Sequence, residues 1–337
     1  MNMQVFRVHR AGDYRKAGPT DLIELLPAPG SNPLFIMKWI LETLVYGIVN
    51  HEFIHLSGPT GGAKSSLLEA LYLVPANFVS ICYGLGFKEK PLVLYPIEMA
   101  IYEAPGELYQ RRSLRDGSTY DELSKLVVAL EKANEKKEEI YPLIWLREMG
   151  RVHSSSVQGG LLNLMTRNDV VLPDGRRLSG SGISWVADSN YQAEGDSTHT
   201  LVTLDDALKR RFTVNLTMDY LSAEQETQVL QYLTGELHMG PVDPELIARV
   251  VKLGHLIRRQ RLEGALLSIA PPTIYGYLAF LRMAVALPHL SHQQIAMTTF
   301  MGNAGLEDRK AAFTLFNEVF GLQPVTDDGS ALGGNLF

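Results

Sequence analysis

Residues 58–66, GPTGGAKSS, decide how this 337-residue chain is read. The glycines Gly58, Gly61 and Gly62 let the backbone curl so that several N–H groups point inward at one anion. Lys64 is positioned to reach the β- and γ-phosphates of a nucleotide, and the Ser65 hydroxyl to ligate Mg²⁺. Upstream, HEFIHLS (51–57) is short and apolar and runs into Gly58, which predicts a buried strand. Downstream, Leu67, Leu68, Leu71 and Tyr72 recur at helical spacing. Strand, glycine-rich turn and helix in this order form a phosphate-binding loop, because the helix start adds its own N–H groups and the positive end of its dipole. Pro59, Thr60, Ala63 and Ser66 complete the loop. Ala63 replaces the last glycine of the GxxxxGK[ST] pattern with the smallest residue that keeps a Cβ.

Beyond the loop, apolar runs predict further strands at 78–83, 143–146, 184–188 and 212–216, alternating with helices. LIWL (143–146) has the unbroken hydrophobicity of a central parallel strand covered on both faces. The pattern predicts an α/β fold, a three-layer αβα sandwich around a mostly parallel five-stranded sheet. Helices are expected at about 33–50 (Asn32 as cap, Pro33 at the first position), 121–140 and 154–165 (Ser154 as cap). VVLPDGRRL (170–178) reads as a hairpin around Pro-Asp-Gly. Residues 11–33, rich in Gly, Pro and Asp, read as a linker or surface arm. After about Asp219 helical periodicity takes over, and the last 15 residues read as a flexible tail. The expected organisation is an arm (1–32), a nucleotide-binding core (33–219), an all-α lid (220–322) and the tail (323–337).

A loop of this kind needs an acidic partner on a neighbouring strand: an Asp to hold Mg²⁺, then a Glu to polarise the attacking water. LIWLREMGRV (143–152) supplies the strand, with Glu148 at the catalytic position. Arg147 stands where the Asp is expected, and a guanidinium cannot coordinate a metal ion.

Taken together, these segments resemble the AAA+ ATPases, particularly the MoxR-like branch with its CbbQ/NorQ and dynein-related relatives. The resemblance covers residues 33–212 and extends more loosely to 322. GPTGGAKSS resembles the Walker A loop, and LIWLRE a Walker B strand that has lost its aspartate. WVADSNY resembles the sensor 1 strand, which implies that Asn190 orients water or the γ-phosphate. LDDALKRRF resembles the family's arginine-finger segment, which implies that Arg211, with Arg210 as second candidate, reaches a neighbouring subunit's nucleotide. APPT (270–273) stands where the family has its sensor 2 arginine; Arg282 lies about two turns later. The resemblance further implies ATP and Mg²⁺ as cofactors, a homo-oligomeric ring, most simply a hexamer, and a protein client. A von Willebrand A domain protein is the expected partner by the same analogy. Nucleotide would sit between the core and lid of one subunit and the finger of the next.

Composition limits the alternatives. The chain carries 31 Lys+Arg and 37 Asp+Glu, a net charge of −6, and 46% hydrophobic residues, as expected of a globular protein. The acidic balance argues against a nucleic-acid-coating surface, although Arg176, Arg177 and the cluster Arg258, Arg259 and Arg261 keep a nucleic-acid-dependent ATPase open as an alternative. The single cysteine, Cys82, allows no intramolecular disulfide and suits a cytoplasmic protein. The most apolar segment, 34–49, includes Lys38 and Glu42 and is too short to span a bilayer. His153 and His199 lack metal-ligand spacing. A second alternative, motivated by Arg147 and the missing sensor 2 arginine, is a ring or filament scaffold that binds nucleotide without hydrolysing it.

Overall fold

The computed structural model describes residues 5–8, 11–115, 117–152, 154–172, 175–190 and 204–321. They divide into two compact units, one ending at Tyr220 and one beginning at Leu221.

The first unit opens with β1 (Val5–Arg7), α1 (Ala11–Lys16), β2 (Leu22–Leu25) and β3 (Leu34–Met37). β1 pairs parallel with β2, and β2 pairs antiparallel with β3. Residues 11–33 are therefore not a linker. Their Gly, Pro and Asp residues fall mainly in the turns, while Ile23 and Leu25 are fully buried in the same cluster as Ile54 and Leu56. The helix expected from Pro33 begins only at α2 (Lys38–Val49), because residues 34–37 are taken into β3.

The central sheet is built from β4 (Phe53–Gly58), followed by α3 (Lys64–Leu73) and α4 (Pro75–Leu85), and then β5 (Leu92–Glu98). Residues 78–83, expected as a strand, lie inside α4. Pro75 occupies its first turn, and Gly86 ends it in the left-handed conformation, with φ 78°. The second wall of the sheet is instead LVLYPIE in β5. An exposed antiparallel hairpin, β6 (Gln110–Arg115) and β7 (Ser118–Leu123), precedes α5 (Lys125–Lys136), so the helix expected from 121 starts later. Then come β8 (Tyr141–Arg147), α6 (Ser155–Arg167), the hairpin β9 (Asp169–Val171) and β10 (Arg177–Ser179), β11 (Ser184–Asn190), α7 (Asp206–Lys209) and β12 (Val214–Thr217). Ser154 caps α6 by accepting from the Val157 N–H, as its sequence position suggested. The hairpin expected at 170–178 is antiparallel, with Val171 opposite Arg177; Pro173 and Asp174 lie outside the described residues.

The five core strands lie in the order β12-β4-β11-β8-β5, parallel throughout. β4, β11 and β8 are the inner strands, and β8 and β11 are buried along every residue but the last. Each large apolar side chain buried there stabilises the fold by roughly 1.5–3 kcal/mol. On one face, Leu56, Trp145 and Val186 pack with Leu41 and Leu44 of α2 and Leu67, Leu68 and Leu71 of α3. On the other, Ile144, Leu146 and Ala187 pack with Leu126 and Leu130 of α5 and Val157 and Leu161 of α6. Two helical layers around one sheet make the expected αβα sandwich.

The second unit contains only helices among its described residues: α8 (Ala223–Glu236), α9 (Pro244–Leu262), α10 (Ile274–Ala286), α11 (His292–Ala296), a π-helical turn at Met297–Met301, and α12 (Leu306–Phe320). Ser222 and Thr273 cap α8 and α10. α8 and α9 are joined by a buried ion pair, Arg258 to Glu226 at 2.8 Å, with His255 2.8 Å from the other carboxylate oxygen. The tail expected from 323 lies outside the described residues. Among the described residues no single helix is long and apolar enough to cross a membrane.

Candidate functional site

Four strands bring their carboxyl ends to one edge of the sheet: Gly58 ends β4, Glu98 ends β5, Arg147 ends β8 and Asn190 ends β11. Asn190 stands in register with Gly58, and Glu98 with Arg147. This edge is where open parallel sheets place their ligands.

The 58–66 loop crosses this edge into α3. Gly61 has φ 80°. A Cβ on Gly58 would lie 2.3 Å from the Met218 carbonyl oxygen, and one on Gly62 would lie 2.6 Å from the same atom. These glycines are thus required by the close approach of the chain just after β12, a constraint with no signature inside the motif. Ala63, in the place of the missing glycine, takes the left-handed conformation with φ 64° and precedes α3 directly. Among the described residues no side chain caps α3, and its first turn has no acidic residue. Its unpaired N–H groups and dipole are left for an anion. Tyr220 donates its hydroxyl to the Thr60 carbonyl at 2.6 Å, tying the loop to the end of the first unit. Ser65 is half-buried in the first turn of α3, and Ser66 is exposed.

Lys64 is buried, and its ammonium donates to the Gly58 carbonyl at 3.0 Å, the Pro59 carbonyl at 2.9 Å and Asn190 Oδ1 at 2.8 Å. The loop lysine and the residue likened to sensor 1 are therefore in direct contact. Burial lowers the Lys64 pKa, and the nearby Asp188 carboxylate offsets part of that shift.

Arg147 turns to the neighbouring strand β5. It donates to Glu98 Oε1 at 2.6 Å and lies over the Trp145 ring at 4.7 Å. Glu148 follows it in the left-handed conformation, φ 55°, with its carboxylate 3.1 Å from Arg151. A non-glycine residue in that region is costly and tends to occur where a site needs it.

Asp188 escaped the sequence reading. It lies on β11, only 6% exposed, and accepts from the Trp145 indole N–H at 2.6 Å and the Glu148 backbone N–H at 3.4 Å. Burial raises its pKa, against the opposing pull of these hydrogen bonds and of Lys64 and Arg147. The readable signal was an acid inside SWVADSN, an otherwise buried strand. Glu98, Met218 and Tyr220 were also missed; they meet the loop or Arg147 only through the fold.

Arg210 and Arg211 follow α7 on the surface, and among the described residues neither side chain has a hydrogen-bond or ion-pair partner. The arginines expected to form a basic cluster are otherwise engaged. Arg258 is buried against Glu226, Arg259 pairs with Glu263 at 3.0 Å, and Arg261 donates to the Leu267 and Ile269 carbonyls. Arg176 and Arg177 likewise face Glu131 and Asp169, at 2.9 and 3.9 Å. Arg282 is exposed on α10. His55 contacts the Ser189 hydroxyl at 2.8 Å, and Cys82 is a packed thiol on α4; among the described residues neither is part of a cluster of metal-ligating side chains.

No protein-family model matches the chain, and no curated protein matches it. Solved structures do. One is described as a candidate ATPase from Cytophaga hutchinsonii: 15% identity, 86% of this chain and 90% of that one covered, TM-score 0.37. Another is the RuvB Holliday junction branch migration motor of Thermotoga maritima: 11% identity, 85% and 75% covered, TM-score 0.43. A third is NtrX from Brucella abortus: 15% identity, 64% and 46% covered, TM-score 0.37. At these values the likeness assigns no residue and no activity. The strand order and the loop of the chain itself define its class, a P-loop α/β sandwich followed by a unit that is helical throughout its described residues.

Proposed function

We propose that this chain is an AAA+ protein of MoxR type that binds ATP with Mg²⁺ and works in the cytoplasm as a homo-oligomeric remodelling or assembly factor on a protein client. The observation that carries this reading is the Lys64 ammonium held beneath a glycine loop by Asn190 at 2.8 Å. Lys64 is poised to exchange loop carbonyls for phosphate oxygens, with Asn190 beside it to orient water or the γ-phosphate. Gly58, Pro59, Thr60, Gly61, Gly62, Ala63, Ser65 and Ser66 supply the rest of the cradle, and Ser65 is the hydroxyl assigned to Mg²⁺. Glu148 is the candidate base. The exposed, unpaired Arg210 and Arg211 suit a finger reaching the next subunit's nucleotide, which requires a head-to-tail assembly such as a hexameric ring. A von Willebrand A domain partner is proposed from the resemblance alone.

One observation favours a second reading, a nucleotide-gated scaffold with little turnover: Arg147 is paired with Glu98, and Glu148 is turned to Arg151. Phosphate release and particle size, measured with and without Mg²⁺·ATP, separate the two. The motor reading expects ATP-dependent growth in size and turnover that Glu148→Gln abolishes. Growth in size without turnover, alone or with a client present, supports the scaffold, and neither response sinks both.

A further inference from the structure

Among the described residues two carboxylates are buried, Glu226 and Asp188. Glu226 is matched by Arg258 and His255. Asp188 is matched by no cation within ion-pair distance: Arg147 is spent on Glu98, and Lys64 on three neutral oxygens. Both hydrogen bonds to Asp188 among the described residues end on Oδ1, leaving Oδ2 without one. A buried carboxylate so poorly compensated costs stability, and such a cost persists where a ligand repays it.

Its placement says which ligand. Asp188 shares register with Leu56 and stands two residues before Asn190, which faces Gly58 at the mouth of the loop. Its side chain lies on the face of Trp145 and Arg147, where the strand β8 was expected to present a metal-holding acid. The chain thus lacks an acid at the end of β8 and has an extra one, one strand over, on β11. The donors present suit Mg²⁺, which takes oxygen ligands and binds through one or two protein groups plus phosphates and waters. Among the described residues no cluster of three or more acidic, histidine or cysteine side chains forms a protein-only cage. A site completed by nucleotide phosphates needs only the Ser65 hydroxyl and one carboxylate.

We propose that Asp188 has taken over the metal-holding role lost at Arg147, binding the Mg²⁺ of the nucleotide through Oδ2 while Trp145 and the Glu148 N–H fix Oδ1. This rests on the nucleotide-binding reading above. Arg147, neutralised by Glu98, then closes the β8 position to the ion. The Oδ1 bond to the Glu148 backbone also links the metal ligand to the candidate base.

The test is ATP affinity in Mg²⁺ and in EDTA, by calorimetry on the full chain. Asn preserves the Oδ1 acceptor, so Asp188→Asn is expected to keep the wild-type affinity in EDTA and the wild-type melting temperature or higher. It is expected to lose at least roughly tenfold of the gain in affinity that Mg²⁺ provides. Moving the acid back, in the double variant Asp188→Asn with Arg147→Asp, is expected to restore most of that gain. An undiminished Mg²⁺ effect in Asp188→Asn, or its loss in Glu98→Gln alone, would overturn the assignment. Wild type that binds no ATP in either condition refutes the underlying reading instead. A measurement on wild type covers the case of a misfolded variant: Mn²⁺·ATP should broaden the Trp145 indole N–H resonance more than that of Trp185, and equal broadening counts against the proposal.

Discussion

Gly61→Ala and Ala63→Gly probe the loop backbone with opposite signs. Gly61 and Ala63 both sit in the left-handed region, with φ 80° and 64°. An L residue pays about 1–2 kcal/mol there. Glycine avoids that cost but loses about 0.5–1 kcal/mol more entropy on folding. The balance gives Gly61→Ala a loss, and Ala63→Gly a gain, of about 0.5–1 kcal/mol each. For a chain of this size each change moves the melting temperature by about 1 °C. Gly62→Ala belongs to another class, since its φ is not positive and its Cβ would meet the Met218 carbonyl oxygen at 2.6 Å. That clash is with backbone and has no flexible end to yield, so a loss of about 1–3 kcal/mol is expected. The assay is denaturant unfolding of the three variants without nucleotide. A destabilising Ala63→Gly, or a harmless Gly62→Ala, would show that the loop does not hold the described conformation in the free protein.

Glu226→Gln removes the carboxylate charge from the buried pair with Arg258 and should cost about 3–5 kcal/mol, seen as earlier loss of helical circular dichroism in denaturant. His51 and His55 have pKa values lowered by burial. The folded state therefore favours their neutral forms, and their contribution is intact above the unfolded value of about 6.5 and declines as pH falls below it. A melting temperature that holds from pH 8 to 7 and drops towards pH 5, less steeply in His55→Gln, is expected. Arg211→Ala should leave stability within about 0.5 kcal/mol of wild type, because the side chain is exposed and unpaired. If it is the finger, ATP turnover falls roughly 10³-fold or more at unchanged nucleotide affinity.

The loop and three of the five core strands were legible because each is a short apolar run with clear punctuation. The fourth, β12, was placed two residues early at its start. The β5 strand was not legible, since Pro96 interrupts LVLYPIE. Proline is tolerated there because β5 lies at the edge of the sheet, where an N–H can be missing from the ladder. The false strand at 78–83 has the matching explanation. Phe78, Val79, Ile81 and Tyr83 favour strands locally, but Pro75 and Gly86 are helix-start and helix-stop signals, and tertiary burial of Phe78 and Ile81 on one side settles the matter. Within the site, motif order singled out Lys64 and Asn190 as residues, but not the contact between them. The partners of Arg147 and the role of Asp188 were not legible either, because strand register, not spacing along the chain, brings Glu98 to Arg147 and sets Asp188 beside Trp145.

The central claim is that the 58–66 loop binds nucleotide phosphate. Titration of the wild-type chain with Mg²⁺·ATP in a calorimeter tests it most directly. The account predicts one nucleotide per chain, with affinity at least roughly a hundredfold weaker in a folded Lys64→Ala variant, the loss of about 2.7 kcal/mol from a charged contact. Absence of binding by wild type, or equal binding by the variant, would contradict it.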